Sequence, residues 1–97
     1  MKIIIAKIAQ QEFNEAKEFY EIEQAGLGVR FAKEIKNAIL RIKQYSSAWP
    51  IERGEVRHYL VHKFPYKILY SIQQDSIILL AFAHQHRKPD YWIERIK

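Results

Sequence analysis

The sequence predicts an α+β fold in which a helix hairpin packs on one face of a small antiparallel sheet, in the order β-α-α-β-β-β with a final helical turn. Two observations carry this. Apolar residues recur at helical spacing before Pro50 and at a period of two after it. A Gly-containing link divides the first half, and Pro and polar breaks divide the second into three runs. The chain of 97 residues is expected to form one domain, 1–97, with room for a single core. Its 48% hydrophobic and 28% charged residues exclude a disordered chain.

Residues 2–7 include three consecutive Ile, and a β-branched run of that kind suits a buried strand. From Ala9 the apolar positions are Ala9, Phe13, Ala16 and Tyr20, one face of a helix. Glu12, Glu15, Lys17, Glu18 and Glu21 are assigned to its solvated side. Gly26 and Gly28 stop that helix, and Leu27, Phe31, Ile35, Ala38, Ile39, Ile42 and Tyr45 define a second one, antiparallel to the first. Trp49-Pro50 turns the corner. Residues 55–63 alternate, Phe64-Pro65 interrupts, 66–73 alternate again, and Gln74-Asp75 is a hairpin tip. Residues 76–84 are apolar on both faces, as an internal strand requires. Asp90 is placed to cap a turn over 91–96. The sheet face away from the helices is expected to be partly open and to carry Arg57, Tyr59, Lys63 and Lys67.

A formal charge of +5 and a pI near 9.5 favour a polyanionic or acidic partner. The absence of Cys excludes disulfides, thiolate catalysis and thiolate zinc sites. His58 and His62, four apart on a strand, stand roughly 13 Å apart and cannot share a metal. His84 and His86 can approach one another, but a zinc site wants a third protein ligand, so no metal and no cofactor are expected. No apolar run reaches bilayer length, and Lys7 interrupts the Ile run at the N-terminus, so a cytoplasmic protein with no membrane partner is expected.

The cluster with chemical content is basic and aromatic: Arg57, Lys63, Lys67, His84, His86, Arg87, Lys88, Tyr91 and Trp92. Internal transesterification of RNA needs a base, an acid and cations on the phosphorane, and His and Arg supply these without a metal. The same residue types also make a face for an acidic protein partner. Residue types alone leave both open.

The order and spacing of several pieces resemble the RelE/ParE superfamily of type II toxin–antitoxin toxins, its ParE-like branch above all. The pieces are Gly28-Val-Arg-Phe31 with Glu34-Ile35, then Trp49-Pro50, Arg57, Phe64-Pro65-Tyr66, and Ala83-His84 with Arg87, Pro89, Tyr91 and Trp92. The resemblance implies two helices on a small sheet with the first strand at an edge. It implies a growth-inhibiting toxin of the plasmid-stabilising kind, held in a hetero-oligomer by an acidic antitoxin. For the target it implies DNA gyrase, poisoned without chemistry, through Arg57, Tyr59, Lys63, Arg87, Lys88, Tyr91 and Trp92. The rival is a RelE-like, ribosome-dependent mRNA endonuclease using Arg57, Lys63, Lys67, His84, His86, Arg87 and Tyr91, or a set of Glu55, Arg57 and a late His. A third possibility is a non-toxic member kept as a binding module.

Overall fold

The structure, a computed structural model, describes residues 1–96; Lys97, the last residue of the span assigned to the domain, lies outside them. Its elements are β1 (Lys2–Ile5), α1 (Lys7–Glu23), α2 (Leu27–Gln44), β2 (Ile51–Arg53), β3 (Val56–Leu60), β4 (Tyr66–Gln73), β5 (Ser76–His84) and a 3₁₀ turn, Ile93–Ile96. Among the described residues the strands form one sheet in the order β1-β5-β4-β3-β2. β4 and β5 have the limits that the alternation predicts, and β1 is an edge strand.

Two features add to the predicted sheet. β1 pairs with β5 in parallel, so the sheet is mixed. Short turns force β2 to β5 into antiparallel pairs, whereas β1 arrives from the far end of the chain with no hairpin to set its direction. The extra strand, β2, is three residues between Pro50 and Gly54, too short to show a period. Gly54, at φ 58, makes the turn into β3.

The helices cover one face. Phe31, Ile35, Ala38 and Ile42 of α2 and Ala9 and Ala16 of α1 meet Tyr59, Ile68, Tyr70, Ile77, Leu79 and Phe82 of the sheet. The other face is not open. Val56, Leu69, Leu80, Ala81 and Ala83 form a second apolar cluster closed by Trp92, which is 1% exposed. The tail tryptophan therefore docks the last turn onto the sheet. Arg57 and Tyr59 were expected on the open face with Lys67; alternation instead puts them on the helix side. Tyr59 is 4% exposed and its hydroxyl accepts from Arg41 Nη1 at 2.9 Å. Arg57 Nη1 donates to the Trp49 carbonyl at 2.6 Å and ties down the corner before β2. Asp90 caps nothing with its side chain. Its carboxylate accepts from Arg53 Nη1 at 2.8 Å, leaving the backbone bond from Ile93 N–H to the Asp90 carbonyl to hold the turn.

The helix hairpin closes around a charge and a missing side chain. Glu21 accepts from the N–H groups of Gly26 and Gly28, at 2.9 and 3.0 Å, and so satisfies the start of α2. A Cβ on Gly28 would stand 2.7 Å from the Lys17 carbonyl oxygen and 2.9 Å from Glu21 Cβ. Gly28→Ala is expected to splay the hairpin and destabilise the protein by about 1–3 kcal/mol, read as a lower urea midpoint with an unchanged slope.

Candidate functional site

The site begins with an irregularity in β5. Leu69 pairs with Ala81 and Tyr70 with Leu79, so Leu80 is an extra residue opposite β4. Past Leu79, whose carbonyl accepts from Ala6 N–H, no strand among the described residues borders the outer edge of β5. Side chains take over there. Phe82 N–H donates to Glu12 Oε1 at 3.1 Å, and the Leu80 carbonyl accepts from Arg95 Nη1 at 3.0 Å.

Glu12 and Arg95 also bind each other through two parallel bonds, Nη1 to Oε1 at 2.8 Å and Nη2 to Oε2 at 2.9 Å. Their side chains are only 13% and 14% exposed. Tyr91 hydroxyl donates to Glu12 Oε2 at 2.6 Å. The Glu12 carboxylate thus holds a helix, a strand and the C-terminal segment together. Assigning Glu12 to the solvated side of α1 is corrected here. Helical spacing places it between Ala9 and Ala16 on the buried stripe, and its partners lie 70 to 83 residues away.

Two guanidiniums stand over the Tyr91 ring, Arg87 at 4.1 Å and Arg95 at 4.8 Å from its centre. Burial, then the hydrogen bond to Glu12 and that carboxylate's charge, push its pKa far up against the opposing pull of the two Arg. The hydroxyl is a committed donor. Arg95 is pushed up as well, first by its bond to Glu12.

Around this anchor the structure gathers part of the predicted set. Lys67, His84, Arg87, Lys88, Tyr91 and Trp92 line a small cleft of about 80 Å³. His86 stands beside it, its ring 5.2 Å from that of His84. His86 N–H donates to His84 Nδ1 at 3.1 Å, so in the neutral ring His84 carries its proton on Nε2. Lys67 Nζ is held by Glu52 Oε2 at 2.9 Å. Glu52 Oε1 also lies 2.9 Å from His58 Nδ1, off line for a hydrogen bond. Glu52, in the unpredicted β2, thus neutralises a cation expected to be free.

The remaining candidates lie elsewhere. Arg57 pairs across to Tyr70 and His84 to Tyr66, so they are separated by roughly 13 Å along the strands. Glu55 is an exposed turn residue. The Glu55, Arg57 and late-His set is therefore not assembled. Lys63, at φ 70 in the β3–β4 turn, lines a separate groove with Arg30 and Lys33 of α2. Sequence reading gave those two α2 cations no role, although Arg30 lies within one of the quoted motif pieces. Among the described residues no three His, Asp or Glu converge as a metal site requires, and no helix is long and apolar enough to cross a membrane.

Comparison with known proteins places this architecture. The model of the ParE toxin of type II toxin–antitoxin systems (parDE) matches residues 3–89. The chain belongs to the ParE toxin family. A solved structure described as the chromosomal ParDE TA system from P. aeruginosa superimposes with a TM-score of 0.65, covering 87% of this chain and 95% of that one. At 13% identity the likeness to that ParDE structure is one of fold. No curated protein matches the sequence. The family match ends at residue 89, so Tyr91, Trp92 and Arg95 lie beyond it.

Glu12→Gln leaves Arg95 buried without its counter-charge and is expected to cost about 3 kcal/mol. Tyr91→Phe removes one bond to a charged acceptor and should cost about 2 kcal/mol. Both are measured by urea denaturation.

A pH dependence follows from the phenols. Burial holds Tyr70 at about 12 against the opposing influence of Arg57, and its hydroxyl donates to the Ser46 carbonyl at 2.6 Å. A raised phenol favours the folded protein fully below its ordinary value of 10.0, and the benefit is lost as pH climbs toward 12. Alkaline unfolding should begin in that window. Tyr70→Phe with Tyr91→Phe should flatten it, with a residue of slope left by Tyr20 and Tyr66, both raised by burial.

Proposed function

We propose that this ParE family member arrests growth by binding and poisoning DNA gyrase in the cytoplasm, performs no chemistry of its own, and is neutralised by an acidic antitoxin. The observation that carries the reading is the state of Tyr91. In a nuclease of the RelE kind a late tyrosine would take part in proton transfer or sit against the phosphate. Here its hydroxyl is spent on Glu12 and its ring is in contact with Arg87 and Arg95. Lys67, the next candidate, is paired with Glu52. Exposed Arg87 and Lys88, with His86, remain for a protein target.

Two assays on the purified chain test this. Supercoiling by gyrase should be inhibited while mRNA on translating ribosomes stays intact. Arg87→Ala with Lys88→Ala should weaken inhibition by about tenfold, the scale of losing a hydrogen-bonded or paired charge at an interface. Codon-positioned cleavage with normal supercoiling would overturn the proposal in favour of the endonuclease. Inactivity in both assays by a folded chain would overturn it in favour of a binding module.

A further inference from the structure

The groove at the helix-hairpin end of the molecule is separate from the cleft around Tyr91. It has a volume of about 470 Å³, and Tyr20, Leu27, Phe64 and Pro65 give it an apolar floor. Arg30 and Lys33 project from the first turns of α2, and Lys63 comes from the opposite wall. All three are exposed, and none has a carboxylate or side-chain hydrogen-bond partner among the described residues. Elsewhere in the fold Arg41, Arg53, Arg57, Lys67 and Arg95 are all engaged. Glu34 is the one carboxylate in the lining, so the groove carries an excess of positive charge. The N-terminus of α2 adds nothing to the field, because Glu21 already occupies it.

We infer that this groove receives an acidic peptide segment in which one apolar side chain lies between carboxylates. The apolar residue fills the floor, and its neighbours reach Arg30, Lys33 and Lys63. A nucleic acid fits less well. Phe64 is only 9% exposed, with Tyr20 and Phe31 packed edge-on against it, so it offers no face to a base. The inference rests on the proposal that the toxin is held by an acidic protein partner, and is independent of what the toxin attacks.

The probe is a pentapeptide with Phe flanked on each side by two Glu, beside its Gln counterpart and a short oligouridylate. Each is titrated into the nitrogen-labelled full chain, and amide shifts are followed. The acidic peptide should give saturable shifts over 27–34 and 63–65, at concentrations up to about 5 mM. Its Kd should rise by about tenfold or more in the Arg30→Gln, Lys33→Gln, Lys63→Gln variant, with a similar loss at high salt. The thermal midpoint of the variant shows that it is folded; each single substitution stands in if the triple is not. No saturable shift, equal response to the Gln peptide, shifts centred on 84–88, or tighter binding of oligouridylate would each overturn the inference. The titration reads the groove whether or not gyrase is inhibited, so its failure and that of the proposed function are told apart.

Discussion

One carboxylate sets how the halves of this protein meet. β5 is the longest strand, and its outer edge has a strand partner only as far as Leu79. Beyond that, backbone groups that would otherwise stay unsatisfied are met by Glu12 and Arg95. A buried ion pair is a poor source of stability in general, since desolvation offsets the attraction. This one is satisfied in full, with two guanidinium bonds, a phenol and a backbone N–H on a single carboxylate. Its value is positional. It fixes α1 against β5 and places Trp92 over the second apolar cluster.

That placement decides which cations remain available. The sheet has two covered faces, so its basic residues emerge at the ends and rims. Arg57 and Arg41 are drawn into the helix side, and Lys67 is neutralised from β2. Among those left are Arg87 and Lys88 in the turn after β5 and Arg30, Lys33 and Lys63 in the groove at the hairpin end. A net positive charge read from composition says that an acidic partner is favoured, but not where it binds. Location follows from which carboxylates are spent internally.

Periodicity made much of the fold legible. The continuous apolar run of 76–84 and the alternation of 66–73 give β5 and β4 without error, because a strand of eight or nine residues shows its period clearly. β2 escapes because three residues carry no period. The faces of β3 were misassigned because His58 and Leu60 against Arg57 and Tyr59 offers no clean contrast of polarity. The site was legible as a list of residue types in the C-terminal half, and Lys67, His84, Arg87, Lys88, Tyr91 and Trp92 do meet. Glu12 was not legible as part of it. A glutamate flanked by other glutamates on a helix looks solvated, and only its spacing from Ala9 and Ala16 hints otherwise. Its partners are remote in sequence, so no local pattern could supply them.

The parallel pairing of β1 with β5 has a consequence for how the protein comes into being. Ile3 lies opposite Ile77, and Glu12 binds Arg95 across 83 residues. Contacts between such distant positions form late, since the entropy lost in closing so long a loop must be met before the contact stabilises anything. On the ribosome the hairpin of helices can assemble early, but the sheet cannot close until β5 has emerged, and the last turn cannot dock until Arg95 has. The surface around Trp92 is therefore finished only once Arg95 has emerged.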